Sequence, residues 1–386
     1  MSTSMNPNPN PNVVHHRFIE PLDVLFLRGN KLFGEAGSYG ESLVPPWPSV
    51  AAGALRSAML ARDGVDLAAF AQGRVTHPLL GTPAAPGAFA VAGFTLARRL
   101  ADGRVESLHP LPADLVALAD EKGAAQRLQR LVPTAPAAGL ASSAALPLWP
   151  VLPQGERGKP LGGVWLTQAG WAEHLAGRTP SVNQLLKTSD LCGLDERVGV
   201  GLDAERRRAA DGQLFTVQAV ALRDGIGFLA GVTGCEPPSD GVLRLGGDGR
   251  GAAVRVARHP PVAVDLAAIC KARRARVLLT TPGLFAEGWR LPGTDADLRL
   301  RWPGLSARLV CAAVARADVV SGWDLAQRAP KPAERVAPTG SVYWLDDLEA
   351  TPEALRKLAE QGLWMHDSHN AQRRAEGFNR YTFAAW

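Results

Sequence analysis

The cluster His-Asp-Ser-His at His366–His369 contains the residue types best suited to chemistry in this sequence. Two imidazoles three positions apart, with a carboxylate between them, can bind a metal ion or act as acid and base. No third ligand motif lies nearby, and a solvated loop after a helix has the same composition. The cluster therefore assigns neither a metal site nor a catalytic centre by itself.

The pair His15 and His16 is a second candidate for acid–base chemistry, and it lies beside the first predicted strand. A metal-independent endoribonuclease uses such a histidine as general acid or base. The pair adjoins the Asn-Pro-rich stretch MSTSMNPNPNPN, and we expect a disordered tail over residues 1–15. This position argues against catalysis without excluding it.

Two glycine-rich segments, GVGLD at Gly199–Asp203 and LGGDGRG at Leu245–Gly251, are similar to phosphate-binding loops. Neither continues into the Gly-Lys-Ser/Thr of a Walker motif, and neither opens a helix with the Rossmann spacing. The sequence also contains no G-x-S-x-G nucleophile elbow and no convincing carboxylate pair. We therefore predict a protein that is not an enzyme and that uses no cofactor and no metal.

Positively charged residues accompany the glycine-rich segments. Glycine lets the backbone approach a phosphate closely, and exposed backbone N–H groups form anion-binding nests. For any one of these side chains a solvated surface charge is the better explanation, but the set is more suggestive of an RNA backbone as the partner. The set consists of Arg28, Lys31, Arg197, Arg206, Arg207, Arg250 and Arg373.

The composition is typical of a folded protein, and its positive net charge is compatible with a polyanionic partner. The chain has 386 residues, 46% hydrophobic and 20% charged, with a net charge of +5 and a pI of about 9.2. This length predicts two domains, or one domain with large insertions. The four cysteines form no C-x-x-C pair and no apolar run could cross a membrane, so we expect a cytoplasmic protein with no membrane partner.

The patterning of the first half predicts a strand over Arg17–Gly29 and then a helix from about Ser49, with Ser49 as its N-cap. Hairpins are predicted to turn at Asp102-Gly103 and at Asp224-Gly225. Between them, an Ala- and Pro-rich insertion of about residues 110–190 is predicted to contain one helix near Leu115–Leu131.

The patterning of the second half predicts strands in ARVLLTTPGLF, SARLVCAAVARADVVSGWDL and GSVYWLDDL. Helices are predicted in LTQAGWAEHLAG, which belongs to the first half of the chain near the end of the insertion, and in TPEALRKLAEQGLW, the second with capping residues and three leucines on one face. Trp289, Trp323 and Trp344 are expected in the core. This order predicts an α+β fold with two ferredoxin-like β-α-β-β-α-β units, at residues 16–262 and 263–386.

Seven motifs occur in a specific order along the chain: FIEPLDVLFLRGNKLFG, PPWPSVAAGALRSAML, ERVGVGLDAERRRAADGQLF, LGGDGRGA, TTPGLFAEGWRLPG, SGWDLAQRAPKPAERVAPTGSVYW and EGFNRYTF. In these motifs the chain closely resembles the third RAMP subunit of the Cmr (type III-B) CRISPR effector complexes, a Cas-five-like group. The resemblance covers roughly Arg17 to Trp386 outside the insertion, and an ordered set of motifs is far more specific than any single one.

This resemblance implies two ferredoxin-like RAMP domains in a non-catalytic subunit of an antiviral ribonucleoprotein. It implies that the subunit holds the 5′ repeat-derived tag of the CRISPR RNA (crRNA), docks on the large polymerase-type subunit and contacts the first backbone RAMP subunit. Single-stranded RNA is held by charge and by stacking of its bases, so binding should weaken as salt rises.

The resemblance and this mode of binding give the following candidate positions. The matching positions in the first helix and the glycine-rich stretches are Pro48, Ser49, Gly53, Arg56, Gly199, Gly201, Gly246, Gly247, Arg250 and Gly377. The candidate stacking platforms are Tyr39, Phe378 and Tyr381. Asn379 stands where RAMP loops usually have a further glycine, and asparagine tolerates the left-handed backbone conformation.

The first helix is unusual because one broad face consists of small residues: Ala51, Gly53, Ala54, Ser57, Ala58 and Ala61. We expect this face to pack on the protein's own sheet, since small side chains allow close approach. The helix N-terminus at Ser49 would then point its free N–H groups at an RNA phosphate. Arg56 is expected to bind phosphate or to pair with Glu20 or Asp23.

Two alternative functions remain open at this point. One is a Cas-six-like metal-independent endoribonuclease that processes precursor crRNA with His15 or His16. The other is the equivalent tag-binding subunit of the Csm (type III-A) complex, with the same task and different partners.

Overall fold

The computed structural model describes residues 13–27, 38–40, 42–120, 123–153, 158–203, 205–324, 327, 329–364 and 370–386, with the backbone alone at 38–40, 211 and 212. Arg28, Lys31, His366–His369 and all but the last three residues of the predicted tail therefore lie outside the described residues. Within the described residues, no helix has the length and apolar character needed to span a membrane.

The protein is a mixed α/β structure dominated by strands. The strands of the first two thirds are β1 (His15–Pro21), β2 (Ser38–Gly40), β3 (Ala90–Arg99), β4 (Val105–Pro110), β5 (Leu115–Ala119), β6 (Ala125–Arg130), β7 (Val132–Thr134), β8 (Trp149–Val151), β9 (Lys159–Pro160), β10 (Val164–Leu166), β11 (Leu185–Lys187), β12 (Cys192–Asp203), β13 (Arg208–Leu222), β14 (Ile226–Thr233), β15 (Val242–Arg244) and β16 (Gly251–Val256).

The last third and the helices complete the element order. The remaining strands are β17 (Ala275–Leu279), β18 (Arg299–Trp302), β19 (Leu305–Ala313), β20 (Asp318–Val320), β21 (Trp323–Asp324), β22 (Ala329–Pro330), β23 (Glu334–Val336), β24 (Val342–Ala350) and β25 (Tyr381–Ala384). The helices are α1 (Pro48–Arg62), α2 (Leu67–Ala71), α3 (Gln168–Leu175), α4 (Thr188–Leu191), α5 (Leu266–Ala272), α6 (Pro352–Gln361) and α7 (Ala371–Glu376), with a 3-10 turn at Val182–Gln184.

The N-terminal part is built on one large sheet with the strand order β11-β10-β4-β3-β14-β1-β16-β15. Its four neighbouring strands β3, β14, β1 and β16 pair antiparallel. The chain visits them in the order β1, α1, β3, β14, β16, with the long segment β4–β13 inserted between β3 and β14. Residues 234–250, all of them described, connect β14 to β16 through β15 without a helix.

Helix α1 packs on this sheet through its larger side chains. Leu55 and Met59 are fully buried in the N-terminal core. The small-residue face was expected to pack there, and its members Ala51 and Ala54 are buried in this core, whereas Gly53, Ser57 and Ala61 are exposed. The prediction was wrong for the exposed half of the face, because leucine and methionine gain more free energy from leaving water than glycine, serine and alanine do.

The start of α1 also differs from the prediction. Trp47 occupies the N-cap position without a side-chain capping bond, and Pro48 is the first helical residue. Ser49 is therefore not the N-cap. Proline is favoured at this position because its fixed φ suits the helix and its missing N–H would have no partner.

The C-terminal part is built on a second sheet with the strand order β18-β19-β24-β17-β25. After α5 the chain runs through this sheet in the order β17, β18, β19, β24, α6, β25. Helix α6 is confirmed, with the Thr351 hydroxyl accepting a hydrogen bond from Ala354 N at 3.1 Å. Trp344 is confirmed in the core, whereas Trp323, at 52% exposure on the short β21, was wrongly expected there.

The insertion contains strands where a helix was predicted near Leu115–Leu131. Strands β5 and β6 form an antiparallel pair, and beyond its last residues Asp120 N donates to Ala124 O at 2.9 Å. Leu115, Ala117 and Leu128 pack against Trp344 and its neighbours on the C-terminal sheet. The insertion therefore covers one face of the second sheet, and this tertiary packing overrides the local helix preference of its leucines and alanines.

The hairpin expected at Asp224-Gly225 is only a turn. Gly225 has the positive φ of 72° that the turn needs, but β13 and β14 diverge into different sheets on either side of it. Strand β13 pairs instead with β12, from Cys192↔Leu222 outward. The hairpin at Asp102-Gly103 is confirmed, since β3 and β4 pair directly.

A buried polar network joins the two parts. Arg276 on β17, Asp114 after β4 and His174 on α3 are each fully buried. The Arg276 guanidinium bonds to Asp114 and donates from Nε to Ala385 O at 2.7 Å. His174 Nε2 lies 3.1 Å from the other Asp114 oxygen. Three distant segments of the chain are therefore held together by one ionic cluster.

Candidate nucleic-acid interface

The hairpin of β12 and β13 extends from a buried base into solvent. Cys192 is buried at the base, and the strands remain paired to Asp203↔Arg208. Apolar side chains on one face are 41% to 72% exposed, and they are Leu194, Val198, Val200, Leu202 and Leu214. An exposed apolar surface of this kind is characteristic of contact with another molecule.

The opposite face of the hairpin base carries an aromatic and cationic cluster. Phe26 packs on Val217 and Ala219, and all three are buried. The guanidinium carbon of Arg250 lies 4.9 Å from the centre of the Phe26 ring, and Arg250 Nη1 donates to Asp23 Oδ2 at 2.9 Å. Residues far apart in the sequence thus meet at one half-exposed arginine.

Close packing explains why glycine occupies several of the predicted positions in this region. A Cβ at Gly199 would collide with the Phe215 ring, and a Cβ at Gly201 would collide with the Gln213 side chain. Gly246 has a φ of 73°, and the next N–H, that of Gly247, donates to Phe26 O at 2.8 Å. Gly199 and Gly201 therefore make room for side chains of the paired strand β13, and Gly246 lets the 245–250 turn approach the segment that carries Phe26.

The remaining hairpin arginines are exposed and loosely held. Arg197 Nε donates to Asp195 Oδ2 at 2.8 Å, and Arg206 lies 3.8 Å from Asp203. Arg207, at a φ of 50° in the tip, has no ion-pair partner among the described residues. Exposed ion pairs of this kind contribute only about 0–1 kcal/mol, so the guanidinium groups can exchange their partners for phosphate at little cost.

Tyr39 lies next to the same hairpin, because β2 pairs parallel to β13 with Thr216 opposite Tyr39. The structure thus brings together one group of predicted residues along the hairpin and its base. This group consists of Tyr39, Arg197, Gly199, Gly201, Arg206, Arg207, Gly246, Gly247 and Arg250.

Ser49 and Arg56 lie elsewhere, on α1. Arg56 lies over the Phe89 ring, with its guanidinium carbon 5.1 Å from the ring centre. Burial lowers the pKa of Arg56, and the nearby carboxylate of Glu376 opposes that shift. Arg56 is therefore tied to neither predicted carboxylate, since Glu20 pairs with Arg99 and Arg255 and Asp23 with Arg250.

The C-terminal candidates are buried in this structure. Arg373 is 3% exposed, donates to Glu334 at 2.8 Å and also pairs with Glu376. Phe378, Asn379 and Tyr381 are 0%, 1% and 5% exposed, so none of them presents a surface for RNA. Gly377, at a φ of 92°, ends α7.

Asn379 has the left-handed backbone conformation expected for it, with a φ of 59°. Its Oδ1 accepts a hydrogen bond from Leu284 N at 2.6 Å, and its Nδ2 donates to Leu363 O at 3.2 Å. The residue therefore joins three segments of the C-terminal part.

His16 on the first strand is poorly placed for acid catalysis. His16 lies edge-on to His259, with ring centres 5.0 Å apart. Burial, followed by the charges of His259 and Arg17, lowers the pKa of His16 to about 4. The His16 ring is therefore neutral at pH 7 and carries no second proton to donate. Among the described residues, no group of three or more His, Cys, Asp or Glu side chains could hold a metal ion.

The comparison with protein families decides the identity of the chain. The model of the CRISPR-associated protein family Cas_Cmr3 matches residues 17–386. The chain belongs to the Cas_Cmr3 family. The family resemblance seen in the sequence motifs is confirmed, and it extends through the insertion to the last residue.

Solved structures similar to this Cas_Cmr3 protein come from Cmr complexes. One chain of the type III-B Cmr-beta complex bound to cognate target RNA and AMPPnP has a TM-score of 0.51 at 13% identity, and the match covers 95% of both chains. A chain of that complex bound to target RNA alone has a TM-score of 0.44 at 14% identity, covering 85% of this chain and 86% of that one. The first match shows a shared fold. A search of curated protein sequences found no match.

Sequence reasoning missed the aromatic residues at the hairpin base. Phe26 follows the alternating pattern of DVLFLRG and was read only as part of a strand. The contact between Phe26 and Arg250 depends on a pairing across more than 200 positions, which local patterning does not contain.

Proposed function

We propose that this Cas_Cmr3 protein is a non-catalytic RNA-binding subunit of a type III-B Cmr effector complex that holds the 5′ repeat-derived tag of crRNA. The family match over residues 17–386 supports membership of the complex. A fold similar to that of a chain in a Cmr complex with RNA, over 95% of both chains, is consistent with it.

The observation that carries the proposal is the convergence at the hairpin. The segment after β1 that contains Asp23 and Phe26, the β12–β13 hairpin and the 245–250 turn meet here, with Arg197 exposed and Arg250 half-exposed. A single RNA strand needs charge for its phosphates and flat surfaces for its bases. The guanidinium groups on the cationic face of the hairpin base supply both, because they carry charge and present flat planes to bases, while the buried Phe26 ring lies below Arg250 and supports it.

The proposal includes the domain organisation. The strand order β16-β1-β14-β3 with α1 is that of a ferredoxin-like unit, and the strand order β25-β17-β24-β19 with α6 is that of a second one. We assign these units to residues 16–262 and 263–386. Each unit keeps one helix of the usual pair, so its other connection is free to carry loops for RNA or partner subunits.

The proposed partners follow from the same assignment. The subunit docks on the large polymerase-type subunit and contacts the first backbone RAMP subunit. The exposed apolar face of the hairpin, Leu194 to Leu202 with Leu214, is surface available for such contacts.

Direct binding and cleavage assays test the function. Purified protein is titrated into two fluorescent single-stranded RNAs, one with the repeat-derived tag of its host's CRISPR locus and one without it, at several salt concentrations without divalent metal. We expect tighter binding of the tagged RNA, weakening with salt, and no cleavage. Equal affinity for both RNAs would contradict the proposal, and cleavage within the repeat would favour the Cas-six-like alternative.

A further inference from the structure

A cleft of about 180 Å³ lies between the two parts of the protein. Its walls come from the segment that precedes α1, from β3 and β4, from α3, and from the loops after β17 and β23. Such a volume is smaller than the ~300–1,000 Å³ of sites for drug-sized ligands, so it suits one ring system.

One wall of the cleft is aromatic. The rings of His109 and Trp171 are stacked with centres 4.2 Å apart and an angle of 9° between their planes, and both residues line the cleft. Burial, and then the charge of His259, lowers the pKa of His109 to about 3. The stack is therefore uncharged at neutral pH.

Polar groups complete the lining without any positive charge. Thr280 and Thr339 line the cleft, and neither hydroxyl has a hydrogen-bond partner among the described residues. His109 Nε2 lies 2.9 Å from Ser107 Oγ, which leaves the second ring nitrogen available. The described lining contains no lysine or arginine, and Asp318 is its only acid. Such a lining disfavours a phosphate and suits an uncharged, flat molecule with donors and acceptors on its edge.

The walls of the cleft are fixed on both sides. Trp171 lies one helical turn before His174, and Leu279 lies on the same strand as Arg276, so the buried ionic network holds two walls. Ala113 N donates to Gly340 O at 2.8 Å, and this hydrogen bond fixes the third wall, which is the loop after β23. The cavity is therefore formed before any ligand arrives, which lowers the entropic cost of binding.

We propose that this cleft is a binding site for a single nucleobase, stacked against the aromatic wall and hydrogen-bonded at its edge by Thr280, Thr339 and His109. The base is supplied either by an unpaired nucleotide of a bound RNA strand or by a free nucleoside. The RNA source rests on the proposed function, whereas the nucleoside source does not.

The test compares a filled cleft with a matched control. Thr339→Trp fills the cleft, and Thr179→Trp makes the same change at an exposed threonine outside it. Isothermal titration measures binding of adenosine, guanosine, cytidine and uridine to the wild type and both variants. A second series uses the tagged single-stranded RNA with one abasic residue moved through each position.

For the RNA source, one abasic position costs about tenfold in affinity in the wild type and in Thr179→Trp, and costs nothing in Thr339→Trp. For the nucleoside source, a nucleoside binds the wild type and Thr179→Trp but not Thr339→Trp, while the abasic series is flat. The proposal is overturned if the abasic series is flat and no nucleoside binds, or if Thr339→Trp behaves like the wild type in both assays.

The two proposals fail separately. If the wild type shows no preference for tagged RNA, the proposed function is contradicted. The nucleoside titration then decides by itself whether the cleft binds a nucleobase. Since the wild-type titrations need no variant, a folding defect in Thr339→Trp would still leave both arms readable.

Discussion

A substitution at Arg250 tests the proposed RNA surface most directly. Its side chain is 30% exposed, and its partner Asp23 is 59% exposed. Arg250→Gln keeps much of the contact with Phe26 and removes the charge. We expect about a five- to tenfold loss of affinity for tagged RNA at low salt, and a log–log salt slope reduced by about one. Fluorescence anisotropy at several salt concentrations measures both quantities.

Arg356→Gln is the control for this change, because Arg356 is an exposed arginine on α6 whose ion pairs in the described part of the chain are with Glu353 and Glu360. It should leave the affinity and the salt slope unchanged. If both substitutions reduce the slope equally, Arg250 contributes only to the net charge of the protein and not to a local phosphate contact.

His16 provides a prediction for pH. Its pKa falls from 6.5 to about 4 through burial, with the charges of His259 and Arg17 adding to the effect. Between these values the unfolded chain binds a proton that the folded chain does not. The free energy of unfolding is therefore unaffected by the protonation of His16 above pH 6.5, and it falls as the pH is lowered from 6.5 toward 4.

His16→Asn should lose less stability than the wild type across that window, by up to about 2 kcal/mol after allowance for the partly exposed ring. Urea unfolding at pH 7 and pH 4.5 gives the difference. His15→Asn, on the same strand, is the comparison. If the wild type and His16→Asn lose the same free energy of unfolding between pH 7 and pH 4.5, the pKa of His16 is not lowered by folding.

Residue chemistry could be predicted where it is local and not where it depends on partners. The left-handed conformation of Asn379 follows from its own side chain, and the structure has it. Arg373 looked like a surface charge because its neighbours in QRRAEG are polar. It is buried because Glu334, from a different strand, compensates its charge.

At the scale of elements, the hairpin tip can be removed without touching the core. Replacing residues 201–213 with Asn-Gly closes a two-residue turn directly after the pair Val200↔Leu214. The change deletes Arg206, Arg207 and Arg208 and leaves Phe215 in place. We expect an unchanged melting temperature, a several-fold loss of RNA affinity and a salt slope lowered by about two to three.

A shortened hairpin that binds tagged RNA as well as the full chain would restrict the RNA surface to the hairpin base. Circular dichroism melting of both proteins provides the check on folding. A large fall in melting temperature would show instead that the tip packs on the body of the protein.

Elements with strong local signals were predictable and elements stabilised by distant strands were not. Helix α6 and the β3–β4 hairpin have caps, periodicity and an Asp-Gly turn, and both are confirmed. The stretch Leu115–Leu131 has the composition of a helix, yet it forms β5 and β6 because Leu115 and Leu128 are buried against the C-terminal sheet. The partner of β13 was mistaken for a similar reason, since β12 is as close in sequence as β14 and only the fold selects it.

At the scale of the whole molecule, the buried network around Arg276 links the two parts of the protein. Arg276, Asp114 and His174 are fully buried. Burial alone would raise the pKa of Asp114, but the neighbouring His174 and Arg276 hold it below its usual value. The charged carboxylate therefore depends on its partners. Removing one partner of a buried pair typically costs about 3–5 kcal/mol, because the remaining charge has no compensation.

Arg276→Met should therefore destabilise the protein by about 3–5 kcal/mol, whereas Arg274→Met, two positions earlier at an exposed pair with Asp346, should cost about 0–1 kcal/mol. Urea unfolding of both variants measures the difference, and a lower slope or a second transition in Arg276→Met would indicate that the two parts unfold separately. Adding Asp114→Leu to Arg276→Met removes the orphaned carboxylate and should recover part of the loss. If Arg276→Met is no less stable than Arg274→Met, the coupling lies in the apolar contacts between the insertion and the second sheet. The cleft beside the network would then be held by packing alone.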